Sequence, residues 1–156
     1  MNSSYALEHN CALLEQTKTL ETLFRLTCGH GDADAALFLE NGEEMRWSYR
    51  QYEAMTRRYA AWLRRAFPGE GYVAISVDTC KEWFPLFWGV ILSGHNALLI
   101  DAACADETAL QLLQEAGCHA LVTQRRRSLP EKVKTLDFSA LLQQAAAEPE
   151  DSFPGG

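Results

Sequence analysis

GYVAISVDTCKEWFPLFWGVILSGHNALLID at 71–101, continued by LQLLQEAGCHALVT at 110–123, decides the fold. Three runs in it, YVAISV at 72–77, ALLID at 97–101 and HALVT at 119–123, are nearly continuous in apolar residues. That is the pattern of strands in a parallel sheet covered on both faces. Between them the spacing predicts one helix from about Thr79 to Ser93 and a second from about Asp106 to Ala116. Strand, helix, strand, helix, strand with right-handed crossovers gives a layered α/β fold, a mainly parallel sheet flanked by helices. Thr79 and Glu82 have the form of a capping box, while Pro85 sits too deep for a first-turn proline if Thr79 is the cap. A kink, or a helix restarting at Pro85, is therefore expected. The helix is apolar nearly all round (Trp83, Phe84, Leu86, Phe87, Trp88, Val90, Ile91, Leu92), so either the domain's own core or a partner must enclose it. In the second helix Ala109, Leu112, Leu113 and Ala116 make one face, and Gly117 is a natural stop.

Outward toward the N-terminus, ALFLE at 36–40 and EMRWS at 44–48 flank Asn41-Gly42, whose left-handed conformers suit a tight β-hairpin. Ser48 and Gln51 form a further capping box. Behind it Tyr49, Tyr52, Met55, Tyr59, Trp62, Leu63 and Ala66 recur at helical steps, opposite a solvated face of Arg50, Arg57, Arg58, Arg64 and Arg65. Pro68-Gly69 stops this helix. Earlier still, Leu7, Leu13, Leu14, Leu20, Leu23, Phe24 and Leu26 predict two short helices, the second capped by Thr19 and ended by Gly29 and Gly31. Toward the C-terminus, RRRSLPEKVK at 125–134 reads as a basic surface loop, KTLDF as a short edge strand and SALLQQAAA as a closing helix. The final EPEDSFPGG is linker-like. The expected organisation is one domain over 1–156, with a helical lead-in at 1–30, an α/β core at 35–123 and a linker-like end at 124–156.

A chain of 156 residues, 47% hydrophobic, is long enough for one core. Its 21 acidic against 14 basic residues leave a formal charge of −7, which repels a phosphate backbone and argues against nucleic acid. Cys11, Cys28, Cys80, Cys104 and Cys118 are odd in number and without a CxxC pair, as reduced thiols in a cytoplasmic protein would be. His9, His30, His95 and His119 add no metal-ligand spacing. MNSSYALEHN has no secretory character, and WFPLFWGVIL at 83–92 is too short for a membrane span.

The usual α/β chemistries fit poorly. A dinucleotide fold needs glycines in the turn after the first parallel strand; that turn reads DTCKEW, and Glu82 there would oppose phosphate. Asp101 imitates a ribose-binding carboxylate but is better read as a turn residue. Asp78, Asp101 and Thr123 fall at strand ends, where ligands bind in such folds, so a small Mg²⁺-dependent enzyme using Asp78 and Asp101 is one reading. No adjacent acidic pair at the first parallel strand supports it, and Asp78 is more simply a helix-entry residue. Neither a GxSxG elbow nor a GxxxxGK phosphate loop is present. Cys80, Cys104 and Cys118 are explained as small buried hydrophobes.

The order of segments from about Thr19 to Thr123 resembles the N-terminal region of the adenylate-forming superfamily: acyl-CoA synthetases, peptide-synthetase adenylation domains and luciferases. WSYRQYEAMTRRYAAWLRRA at 47–66 is similar to that family's "TYxEL" helix entry and long helix. The stretch 71–101 is similar to its strand, "N-x-x-E-W/F" turn, apolar helix and "AG…P-I/L-D" strand, and 110–123 continues in register. Three departures stand out: Thr79 where asparagine is common, Leu99 where proline is common, and no proline-rich stretch after Asp101.

The resemblance implies a carboxylate ligase that uses ATP and Mg²⁺ to form an acyl-adenylate and passes the acyl group to the thiol of CoA or a carrier protein. It also implies a glycine-rich phosphate loop, a ribose-binding aspartate and a catalytic lysine, none of which has a counterpart in this sequence; His30-Gly31-Asp32 lies far too early for the ribose motif. The expectation is therefore an N-terminal fragment, inactive alone, with no catalytic, cofactor-binding or metal residue to assign. Its partner would be the remainder of the same polypeptide or a complementary chain. A stand-alone binding module, using the apolar helix at 83–92 to hold a protein or lipid-like partner, is the alternative from a different class.

Overall fold

The structure is a computed structural model that describes residue 15 and residues 17–147. The first of the two lead-in helices, Cys11 and the EPEDSFPGG end lie outside the described residues. Helix α1 (Leu20–Cys28) starts where Thr19 accepts a hydrogen bond from the Thr22 N–H at 3.1 Å, as expected of an N-cap. Strands β1 (Asp34–Glu40) and β2 (Glu43–Ser48) form the hairpin, with Asn41 at φ 53° and Gly42 at φ 84°, the pair of left-handed residues that a two-residue turn requires. Helix α2 (Tyr49–Ala66) then opens on a complete capping box: the Gln51 N–H donates to Ser48 Oγ, and Gln51 Oε1 accepts from the Ser48 N–H at 2.9 Å.

The remaining elements are β3 (Tyr72–Ser76), α3 (Trp83–Leu92), β4 (Asn96–Leu99), α4 (Asp106–Glu115), β5 (Ala120–Thr123), β6 (Lys134–Asp137) and α5 (Phe138–Ala146). The short edge strand and closing helix expected at KTLDF and SALLQQAAA are β6 and α5. The four-stranded sheet has the order β4-β3-β5-β6 with every neighbour parallel. Val73 and Ile75 of β3, with Ala120 and Val122 of β5, face a core built by α2, α3 and α5. Ala74 and Leu121 face the other way, against Ala109 and Leu113 of α4. Burial on both faces is why β3 and β5 are apolar at consecutive positions.

Two expectations are corrected. Helix α3 begins at Trp83 rather than near Thr79, its N-cap is Glu82 without a side-chain cap bond, and the Thr79–Glu82 capping box does not form. Proline explains this: its ring clashes with the carbonyl four residues back, at Lys81, so the turn holding Pro85 has to be the first. Leu112, assigned to the buried face of α4, is 37% exposed, and Ala109 and Leu113 alone are buried there. Gly117 does end α4 as expected. At φ 61° it lets its own N–H reach the Gln114 carbonyl and the Cys118 N–H reach the Leu113 carbonyl at 2.8 Å.

Where α2 crosses α3 the backbones come close. A Cβ on Gly89 would stand 2.8 Å from Cβ of Tyr59, so only glycine permits the approach. Through this contact Leu86 and Val90 are fully buried, each contributing about 1.5–3 kcal/mol of burial free energy. Trp62 Nε1 donates to Gln144 Oε1 at 3.0 Å and ties α2 to α5.

Candidate functional site

Two places are candidates: the crevice at the C-terminal ends of the parallel strands, and a groove beside the hairpin. In this sheet the chain leaves β3 toward β4 on one side and returns to β5 on the other, so the crevice between β3 and β5 is the topological switch point where α/β folds usually take ligands.

Side chains of the chain itself occupy that crevice. The Asp78 N–H donates to Gln124 Oε1 at 2.8 Å, and the Asp78 carboxylate accepts from Gln124 Nε2. Asp101 Oδ1 accepts from the Ala103 N–H at 2.8 Å, the turn role expected of it. Thr123 exchanges hydrogen bonds with the main chain of Arg125. Arg127, with a side chain 0% exposed, donates to Ser76 Oγ at 2.7 Å, to the carbonyls of Asp101, Ala102 and Cys104 at 3.3, 3.1 and 3.1 Å, and to Asp106 Oδ1 at 3.1 Å. Asp106 also accepts from the Ser128 N–H at 2.7 Å. That N–H first, and then Arg127 and Arg125, hold its carboxyl below the usual carboxylate range against the opposing effect of burial.

Arg127 was not singled out from sequence, where RRRSLPEKVK reads as a surface loop. That reading is corrected at this residue. Nothing in three consecutive arginines marks which one turns inward; the choice depends on the carbonyls that the loop after β4 presents to it.

The residues that could bind Mg²⁺ or a triphosphate do not fit either group. Among the described residues no three His, Cys, Asp or Glu side chains come together as a metal site. Asp78, Asp101 and Asp106 are each engaged by neighbours, and the turn after β3 offers no glycine amides to phosphate. Three of the thiols are not prepared as nucleophiles. Burial pushes Cys28 up to about 12 and raises Cys80 and Cys118 as well, all away from the reactive thiolate.

The groove is different in kind. It is a cavity of about 770 Å³ between α1, the hairpin and the start of α3, lined among others by Phe24, Leu37, Leu39, Tyr52, Phe84 and Trp88. Phe24 and Trp88 pack with ring centroids 5.3 Å apart at its base. Lys81 pairs with Glu40 and lies over the rings of Phe38 and Trp47 at 5.1 and 5.7 Å. Of α3, Pro85, Leu86, Gly89 and Val90 are buried, whereas Phe84 is 59% exposed. The core therefore encloses one face of the apolar helix and leaves the other open.

Fold and surfaces together define a parallel α/β scaffold with an N-terminal hairpin, a filled strand-end crevice and an open apolar groove. The chain belongs to the AMP-binding enzyme family, whose profile matches residues 25–153. Solved structures share the fold. The N-terminal subdomain of NpsA from Klebsiella oxytoca, in complex with 3-hydroxybenzoyl-AMSN, superposes with a TM-score of 0.73 at 16% identity, over 85% of this chain and 33% of that one. The inhibitor-bound N-terminal domain of FACL13 from Mycobacterium tuberculosis gives 0.73 at 18% identity, over 89% of this chain and 38% of that one. The nonribosomal peptide synthetase FmoA3, bound to alpha-methyl-L-serine-AMP, gives 0.66 at 22%, over 84% and 15%. No match is found among curated proteins. The chain thus spans about a third or less of the first of these structures, and its fold is that of the N-terminal region of adenylate-forming enzymes. No helix among the described residues is long and apolar enough to cross a membrane.

Proposed function

We propose that this chain is the N-terminal scaffold of an ATP-dependent carboxylate ligase, and that the residues performing adenylation belong to polypeptide beyond these 156 residues. In the intact protein a carboxylate and ATP, with Mg²⁺, give an acyl-adenylate and pyrophosphate, and the acyl group passes to the thiol of CoA or of a carrier protein. The partner of the scaffold is the remainder of the same polypeptide or a complementary chain. The observation that carries this reading is the family match over residues 25–153 in a chain whose own strand-end crevice is filled by Arg127 and Gln124. Filled in this way, the crevice supports a packing role for these strands, and with it the reading of the isolated chain as a scaffold without activity.

Isothermal titration of the 156-residue chain with ATP and Mg²⁺ tests it. No heat of binding is the expected result. One-site binding would place a phosphate site among these residues and would favour the small Mg²⁺-dependent enzyme instead. A second reading, a stand-alone binding module, draws on the half-open face of α3. Sedimentation as a clean monomer that takes up no hydrophobic dye would count against it.

A further inference from the structure

His95, 7% exposed, stands just before β4 between the C-terminal ends of two helices. Its Nε2 lies 2.9 Å from the carbonyl oxygen of Phe67, the C-cap of α2, and its Nδ1 lies 2.7 Å from the hydroxyl of Ser93, the C-cap of α3. That hydroxyl lies in turn 2.7 Å from the carbonyl oxygen of Val90. A carbonyl can only accept, so these three contacts need three hydrogens. Ser93 supplies one, and a neutral imidazole supplies one more. With the imidazole hydrogen on Nε2, Ser93 must donate to Nδ1 and turns a lone pair to Val90; with it on Nδ1, the Nε2 lone pair faces Phe67. Only the imidazolium, which donates from both nitrogens, puts a hydrogen in every contact.

The surroundings suit a cation. The carbonyls of Phe67 and Val90 belong to helix ends, where main-chain oxygens lack helical partners and the helix dipole is negative. Cations already cap the same two ends: Arg64 donates to the Leu92 carbonyl at 3.1 Å, and Lys134 to the Ala66 carbonyl. Glu70, Tyr72, His119, Lys132 and Lys134 line the hollow that His95 also lines. All five, and Arg64, are exposed, so water screens their charges, whereas the helix carbonyls touch the ring directly.

We infer that His95 is a proton-binding site, an imidazolium enclosed by the fold that ties the C-terminal ends of α2 and α3 to the start of β4. Removing its second proton empties one of the three contacts, so the tie is closed at low pH and loosens as pH rises. The inference is independent of the ligase reading.

Nitrogen-15 NMR of the histidine rings in the 156-residue chain tests the charge. At about pH 7.5, a unit above the ordinary histidine value, both ring nitrogens of His95 should carry hydrogen. A lone-pair signal from either nitrogen at that pH overturns the inference. Ser93→Ala takes away the acceptor of Nδ1–H and should lower the proton affinity of His95 at least about tenfold. Equal affinity in the variant would show that the serine does not hold the proton, and would overturn the inference too; should the variant not fold, the parent spectrum still decides. Urea unfolding tests the tie. The stability lost in Ser93→Ala should be larger at about pH 6 than at about pH 9, because the folded parent gives up its proton as pH rises. A loss that is the same at both pH values overturns the proton-dependent tie.

Discussion

The strand-end crevice and the hairpin groove contrast in how they treat their polar groups. In the crevice, three carbonyls from the loop after β4, the carboxylate of Asp106 at the start of α4 and one hydroxyl from β3 converge on Arg127, and Asp78 and Gln124 satisfy one another. Beside the hairpin, the outward backbone groups of Leu37 and Leu39 on β1 are met by no part of the described chain, and the surrounding side chains are mainly apolar, with Glu40, Lys81 and Glu82 among them. A buried network in which all of the Arg127 guanidinium but Nε has a partner holds structure together; an open edge with apolar flanks awaits something else. The contrast also shows why position in the fold alone does not locate function. The switch point is the customary ligand site of an α/β sheet, yet in this chain it is a latch.

Breaking the latch should have the largest effect. Arg127→Ala takes the buried donor from Ser76 Oγ and from the Asp101 and Ala102 carbonyls, and urea unfolding should show a loss of about 1–3 kcal/mol, the scale for leaving buried polar groups unsatisfied. A loss below about 1 kcal/mol would mean that water replaces the guanidinium and that the crevice is not a latch.

Asp106→Asn probes the same network through pH. The folded-state pKa of Asp106 is lowered, so its contribution to stability is present above the ordinary carboxylate value of about 3.9 and is lost as pH falls through the lower folded value. The variant should therefore be less stable than the parent at neutral pH, and the two should converge in acid. Parallel curves across the whole range would remove the ionised carboxylate from the account.

The smallest effect is expected at the groove. Leu39→Lys, at a side chain 78% exposed, should change unfolding of the isolated chain by no more than about 0.5 kcal/mol while reducing the uptake of a hydrophobic dye. A large loss of stability would make the groove part of this chain's own core and would erase the contrast.

Much of the architecture could be read without coordinates because its signals are local. Thr19, Ser48 with Gln51, Asn41-Gly42 and Gly117 each act within a few residues of themselves, and all four do what their chemistry dictates. Thr79 with Glu82 had the same capping signature and failed, because Pro85 imposes a stronger steric condition on the same turn. The candidate sites were less legible. Asp101 was read correctly as a turn residue, but Asp78 proved to be bound to Gln124 across the sheet, a pairing between residues 46 positions apart that no local pattern announces.

The sequence by itself determined the parallel α/β class, through apolar runs that require burial on both faces, and the membership in the adenylate-forming family, through the order of its segments. Tertiary structure alone decided three further points. Gly89 has to be glycine because α2 crosses α3 at that residue. Arg127, among three adjacent arginines, is the one drawn inward, because only the folded loop assembles enough acceptors to offset the cost of burying its charge. And the apolar helix at 83–92 is enclosed on one face only, since how many neighbours surround a helix depends on packing between distant segments rather than on its own periodicity.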